Sequence, residues 1–158
     1  AALVKDIVVS KISRVDDDFD ARFDAKSREY LYKIFTRRQR PVLRVDSLAW
    51  FSEELDFELM QEHCKTFIGK KDFALYTKEE IAYGNQVKST ICEVFEAELI
   101  KESKICYKFR IKANRFLRNM VRRMVGELVH IGKGNPADDA SKTLTAPAAG
   151  LTLMKVRY

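Results

Sequence analysis

Pairs of apolar residues recur every four positions between residues 116 and 129, and this period constrains the fold more than any other feature of the chain. An α-helix brings such pairs onto one face, which must then be buried against another element. The pattern predicts a helix that Asn114 caps at its N-terminus and that Gly132 and Gly134 end. The predicted core positions are Phe116, Leu117, Met120, Val121, Met124, Val125, Leu128 and Val129.

The opposite face of this predicted helix is cationic. A solvated surface is the ordinary interpretation of such a face. However, arginine is used rather than lysine, and Gly126 leaves room for another backbone to approach. These features favour contact with RNA phosphates, with a buried carboxylate, or with both. The face consists of Arg115, Arg118, Asn119, Arg122, Gly126 and His130.

The remaining patterns predict an α+β fold with a largely antiparallel β-sheet flanked by helices. Too few helical crossovers are present for an all-parallel sheet. The chain has 158 residues, which suits a single domain spanning 1–158. The predicted elements are strands over 6–15 and 28–35, a helix over 55–68, a hairpin of 90–100 with 105–113, and a strand over 151–156.

Composition favours a polyanionic partner. Lysine and arginine total 29 against 23 aspartate and glutamate, and five arginines fall between Arg110 and Arg123. The apolar runs are too short for a membrane helix, and the first residues, Ala1 to Asp6, lack the basic flank, apolar stretch and cleavage site of a secretory signal. Three cysteines and two histidines lack disulfide or ligand spacing. We therefore expect a cytoplasmic protein with no metal and no membrane contact.

Two tyrosines, Tyr30 and Tyr32, share one face of the predicted strand 28–35. Alternating tyrosines are ordinarily core residues. The same arrangement suits recognition of single-stranded RNA, in which a ring stacks on an unpaired base and neighbouring cations hold its phosphates. Arg22, Lys26 and Arg28 lie within a few residues, so both interpretations fit the sequence.

Two long motifs resemble those of the tRNA pseudouridine synthase A family. Residues 19–34 read F-D-A-R-F-D-A and then R-E-Y-L-Y-K-I, similar to the family's F-x-A-R-F-x-A and R-x-Y-x-Y. Residues 109–126 resemble its F-x-I-x-A-N-x-F-L-x-x-M-V-R-x-x-V-G block. Shorter similarities to G-x-x-D-F at 69–73 and to A-P-A-x-G-L at 146–151 extend the resemblance over essentially the whole chain.

The resemblance implies the C-terminal half of a pseudouridine synthase fold. Members of the family isomerise uridine to pseudouridine in the anticodon stem-loop of tRNA, as homodimers and without a cofactor. Their nucleophilic aspartate belongs to a G-R-T-D motif in a preceding N-terminal domain, and no Arg-Thr-Asp occurs in this sequence. We therefore expect a fragment without the catalytic aspartate that makes no pseudouridine alone. A non-catalytic RNA-binding domain is the alternative, and a structural or dimerising module is a third possibility.

The same resemblance assigns residue roles. Tyr30 is expected to stack on the flipped uridine and to accept the proton released from its C5 carbon. Arg122 is expected to pair with the aspartate and keep it ionised. Segment 135–145 is shorter than the family's helix-bearing counterpart, so its structure is left open. The residues expected to bind tRNA phosphates are Arg22, Lys26, Lys88, Lys112, Arg115 and Arg118.

Overall fold

The computed structural model describes residues 5–42, 45–77, 82–83, 86–87 and 89–158. Its helices are α1 (Phe57–Cys64) and α2 (Met120–Gly132). Its strands are β1 (Ser27–Thr36), β2 (Ala49–Phe51), β3 (Gly69–Asp72), β4 (Ala82–Tyr83), β5 (Gln86–Val87), β6 (Ile91–Ser103), β7 (Cys106–Ala113) and β8 (Leu151–Arg157). Short 3-10 helices occupy Val45–Ser47, Lys65–Phe67, Ala74–Tyr76, Ser141–Thr143 and Ala148–Gly150. Among the described residues, no helix is long and apolar enough to cross a membrane.

One six-stranded sheet organises the chain, and β1 pairs with three of its strands. The strand order is β2-β1-β7-β6-β3, and β8 pairs with the first part of β1 while β2 pairs with its last part. Only the β1–β2 pairing is parallel; the other four pairings in this sheet are antiparallel. The strands β4 and β5 form a separate two-stranded pair. The predicted α+β fold with a largely antiparallel sheet is therefore confirmed.

The apolar face of the sheet and the helices form one hydrophobic core. Alternation along β7 buries Tyr107, Phe109 and Ile111 beside the β1 residues Ile34 and Tyr32. The predicted core positions within α2 are buried there, with Met120 and Met124 fully so, whereas Phe116 and Leu117, which precede α2, are half-buried and pack against the core. The opposite face of the sheet carries ion pairs between β6 and β7.

The predicted strand over 6–15 is wrong. Residues 7–15 have no regular secondary structure, and Val8 and Ile12 are 87% and 88% exposed. Propensity for β structure describes how well a side chain fits a pleated, half-buried surface. Within the described residues, this segment pairs with no strand of the sheet, so its β-branched side chains have no such surface.

The predicted start of the second helix is also wrong. Helix α2 begins at Met120, and Asn119 precedes it with a left-handed φ of 64°. The Asn114 carboxamide oxygen instead accepts hydrogen bonds from the backbone N–H groups of Glu93, at 2.9 Å, and Arg115, at 2.7 Å. Asn114 thus ties the end of β7 to β6. The segment that it was expected to cap is a loop that presents Arg115 and Phe116 beside the sheet.

The first helix is shorter than the predicted range 55–68. Helix α1 covers Phe57–Cys64, and a 3-10 turn continues it to Phe67. Its N-cap is Asp56, whose carboxylate accepts a hydrogen bond from the backbone N–H of Leu59 at 3.0 Å. The hairpin of β6 with β7, the strand β1 and the final strand β8 are confirmed close to their predicted bounds. Segment 135–145 contains only the 3-10 turn Ser141–Thr143.

Candidate functional site

Tyr30 forms one wall of the candidate site. It lies near the start of β1, on the same face as the buried Tyr32, because side chains two residues apart on a strand point the same way. The Tyr30 ring contacts Phe116 edge-on, with ring centroids 5.1 Å apart and planes at 89°. Tyr30 is half-buried, so part of its ring remains accessible to a ligand.

Arg122 lies in the first turn of α2 with its guanidinium group held at two points. Its Nε donates a hydrogen bond to the Ala146 carbonyl at 2.8 Å, and one terminal nitrogen donates to the Asn119 carboxamide at 3.2 Å. Neither partner is charged. No acidic side chain of the described residues forms an ion pair with Arg122, so its positive charge is available to an anion from elsewhere.

Tyr32 connects Arg122 with β1, the strand that also carries Tyr30. Its hydroxyl donates a hydrogen bond to the Pro147 carbonyl at 2.6 Å, next to the carbonyl that Arg122 uses. Burial raises the pKa of Tyr32, and the positive charge of Arg122 opposes part of that rise. The buried Tyr32 therefore links Arg122 to the face of β1 that also carries Tyr30.

Segment 144–147 packs against α2 and fixes the orientation of Arg122. The Ala146 backbone N–H donates to the Arg122 carbonyl at 3.0 Å, while its carbonyl accepts from the Arg122 side chain. This close approach requires Gly126, because a Cβ there would lie 2.7 Å from the Leu144 carbonyl carbon and would overlap its oxygen. The backbone expected to approach Gly126 is thus that of Leu144 in the same chain.

Arg28 joins two loops that border Tyr30. Its guanidinium group donates to the carbonyls of Asn114, at 3.0 Å, and Ala25, at 3.3 Å, and also to that of Arg22. The loop that carries Arg22 is thereby tied to the loop that leads into α2. The sequence analysis treated Asn114 as a helix cap and Arg28 only as a cation near the tyrosines, so it missed this contact between them. Both residues lie inside the two long motifs, and that position was the available signal.

The expected phosphate-binding residues divide between two faces of the sheet. Arg22, Lys26 and Arg118 are exposed in or beside the two loops that Arg28 joins, as is the half-buried Arg115, whose guanidinium group bonds the Ser89 carbonyl. Lys112 points to the opposite face and forms an ion pair with Glu96 at 3.0 Å. The structure thus does not bring Lys112 together with Tyr30, and its role stays a prediction. Lys88 lies outside the described residues.

Arg123 has a structural role, and the sequence analysis did not distinguish it from the other arginines of this segment. It is 8% exposed, and one terminal nitrogen donates to the carbonyls of Leu75 and Thr77, each at 2.7 Å. It therefore binds the chain before residue 78 to α2. Residue 123 lies about 100° around the helix from Arg122, which explains why adjacent arginines face different surroundings.

Known proteins match this chain over its whole length. A family model described as tRNA pseudouridine synthase matches residues 63–158. The chain is 35% identical to tRNA pseudouridine synthase A of Nitrosomonas europaea, over 100% of this chain and 60% of that protein. It is 35% identical to the protein of that name from Geobacillus kaustophilus, over 100% of this chain and 64% of that protein. It is 36% identical to tRNA pseudouridine synthase A of Bacteroides fragilis, over 99% of this chain and 64% of that protein.

The chain spans about three fifths of the length of these curated relatives. The region that the family model matches contains the β6–β7 hairpin, α2 with Arg122, and β8. The relatives extend the match to β1 with Tyr30. Because the matched region covers more than half of the chain and includes both elements that anchor Arg122, this chain belongs to the tRNA pseudouridine synthase family.

Proposed function

We propose that this chain holds the target uridine and the surrounding tRNA in an enzyme that isomerises uridine to pseudouridine in the anticodon stem-loop. One observation carries the proposal: Arg122 is anchored by neutral groups near the buried Tyr32, which shares a face of β1 with Tyr30, and Arg122 has no acidic partner within the described part of the chain. An arginine that is held in place and has no acidic partner, near an aromatic ring that packs on a second ring, suits a site that receives both a carboxylate and a base.

In this mechanism, the target uridine leaves its stack and its base packs on the open part of the Tyr30 ring. An aspartate from the family's G-R-T-D motif, outside this chain, attacks as the nucleophile. The free edge of the Arg122 guanidinium group pairs with that carboxylate and favours its ionised form. The glycosidic bond breaks, the base rotates and is rejoined through C5, and the Tyr30 hydroxyl oxygen is the candidate acceptor of the C5 proton.

The surrounding cations bind tRNA phosphates in this proposal. Arg22, Lys26, Arg115 and Arg118 border the Tyr30–Phe116 pair through the loops that Arg28 holds. Such contacts position the RNA without reading its sequence. Homodimeric assembly and a cytoplasmic location also form part of the proposal, and the resemblance to the family supports them.

Arg122→Lys in the full-length protein tests the assignment. Lysine keeps the positive charge but loses the planar fork that can hold a carboxylate with two hydrogen bonds. We expect the single-turnover rate with saturating tRNA to fall at least about a hundredfold, equivalent to roughly 3 kcal/mol, while tRNA affinity changes little. Arg118→Lys is the matched control, since an exposed phosphate contact tolerates this exchange.

Tyr30→Phe supplies the contrasting variant in the same experiment. It preserves the ring that contacts Phe116 and removes only the hydroxyl, so binding should survive while proton removal slows. An Arg122→Lys protein that loses tRNA affinity but keeps its saturated rate would contradict the proposal and move Arg122 into the RNA-binding set.

A further inference from the structure

An exposed basic loop follows β1 at the end remote from Tyr30. We define the basic loop as Arg37, Arg38, Gln39 and Arg40, all of which are exposed. The Arg37 Nε donates a hydrogen bond to the Gln39 carboxamide at 3.2 Å. The guanidinium groups of Arg38 and Arg40 make no hydrogen bond or ion pair with the described residues. Three arginines with no acidic partner among the described residues thus lie together on the surface.

The start of the basic loop is held in place by β2. The Arg37 backbone N–H donates to the Phe51 carbonyl at 3.1 Å, and its carbonyl accepts a hydrogen bond from the Trp50 indole N–H at 2.7 Å. Trp50 pairs in register with Phe35, the penultimate residue of β1. These two bonds fix the first residue of the loop before any ligand arrives, which lowers the entropic cost of binding.

A further cation lies beside the basic loop. The Thr36 backbone N–H donates to the Ile105 carbonyl at 2.8 Å, which brings the exposed Lys104 beside the loop. The Glu102 carboxylate, in the same hairpin, forms an ion pair with Lys108. The Glu102 carboxylate therefore already neutralises Lys108, and the loop arginines remain available to bind a polyanion.

The basic loop is far from Tyr30 along β1. Arg37 follows Tyr30 by seven residues of extended strand, which at about 3.3 Å per residue places them roughly 23 Å apart. A single flipped nucleotide at Tyr30 does not reach that distance. An RNA that contacts both places must extend away from the anticodon loop along a base-paired region.

We propose that the basic loop is a second tRNA contact, which binds backbone phosphates of a base-paired part of the tRNA away from the anticodon loop. The inference rests on the proposed function, because it requires tRNA to occupy the Tyr30 surface. Guanidinium groups bind phosphate oxygens through paired N–H groups, and such contacts raise affinity without selecting a sequence. Trp50 lies against this contact and is the only tryptophan of the chain.

The test uses a tRNA transcript and an anticodon stem-loop oligonucleotide, each titrated into the 158-residue chain at several salt concentrations. The double variant Arg38→Gln with Arg40→Gln should weaken tRNA binding and lower the slope of log K against log salt by about two. Its affinity for the stem-loop should be unchanged. Binding of tRNA, but not of the stem-loop, should change the Trp50 fluorescence.

The matched control is Lys65→Gln with Lys70→Gln, which removes two exposed charges near the opposite edge of the sheet. It should leave both affinities and both salt slopes close to the parent values, and equal melting temperatures show that all three proteins are folded. This inference is wrong, with the proposed function unaffected, if the Arg38/Arg40 variant keeps the salt slope of the parent protein. The same holds if the variant loses affinity equally for tRNA and for the stem-loop. A parent chain that binds neither RNA would overturn it together with the proposed tRNA contact.

Discussion

Glu127 is a fully buried carboxylate on the side of α2 turned away from Arg122. It is 0% exposed, and the Tyr76 hydroxyl donates a hydrogen bond to it at 2.6 Å. His63 and Ser141 lie 3.4 Å away on the other oxygen. Burial raises the pKa of Tyr76, and the bond to Glu127 raises it further, so the phenol remains protonated and able to donate. A buried charge is tolerated only with such partners.

Tyr76→Phe should therefore destabilise the protein. The ring still packs, but Glu127 loses its shortest hydrogen bond, and leaving a buried acceptor unsatisfied costs about 1–3 kcal/mol. Urea unfolding measures the change in the free energy of unfolding. Tyr158→Phe is the control, because that tyrosine is exposed and should lose less than about 0.5 kcal/mol. Equal effects of the two substitutions would show that the Tyr76–Glu127 bond contributes nothing net.

At the scale of elements, the contact between α2 and segment 144–147 determines where the Arg122 guanidinium group lies. Both hydrogen bonds of Ala146 go to Arg122, and the approach of Leu144 depends on the missing side chain at Gly126. A helix and a loop are thus held together by backbone contact rather than by interlocking side chains. A small change at Gly126 must move the whole segment.

Gly126→Ala tests this contact. Alanine favours helix formation by about 1 kcal/mol, but its methyl group would overlap a backbone carbonyl that cannot rotate away. We expect a net loss of about 1–3 kcal/mol in urea unfolding. Gly132→Ala is the contrast in the same helix, since there the added methyl group meets side chains rather than a backbone carbonyl: the Met60 sulfur at 2.7 Å and the Leu55 Cβ at 3.2 Å. A loss at Gly132 as large as at Gly126 would refute the distinction.

At the scale of the whole molecule, the core contains weak acids that keep their protons. Burial raises the pKa of Tyr32, Tyr76 and Tyr107, and it raises that of Cys64 from 9.0 to about 12. In the unfolded chain these groups lose protons at lower pH. The folded state therefore binds more protons in alkaline solution, and its stability falls as pH rises.

Stability should accordingly be maintained below pH 9 and decrease between pH 9 and pH 12. For Cys64 alone the loss is about 1.4 kcal/mol at pH 10, from the difference between its unfolded and folded pKa values. Urea unfolding at about pH 7.5 and about pH 10 measures this loss of stability. The higher pH lies about one unit above the pKa of the thiol in the unfolded chain. Cys64→Ala should lose less stability between these two pH values than the parent. An identical loss in both proteins would exclude Cys64 as a contributor.

Local periodicity determined much of the fold by itself. The alternation along β1 and β7 and the paired apolar residues of α2 each identify a buried face, because a residue's neighbours at two or four positions define which side meets the core. For the same reason the sequence located Tyr30 on a strand and Arg122 on a helix. The motifs at 19–34 and 109–126 supplied their expected roles through the family resemblance.

Only the tertiary structure decided which segments find partners. Residues 7–15 have strand propensity but no strand beside them, and Asn114 bonds to β6, a partner from another part of the sequence, instead of capping a helix. Lys112 faces Glu96 across the sheet from Tyr30, while Arg123 is buried against the carbonyls of Leu75 and Thr77. Charge and propensity belong to a residue alone. Hydrogen bonds and burial depend on chain segments far away in sequence, and folding alone brings those together.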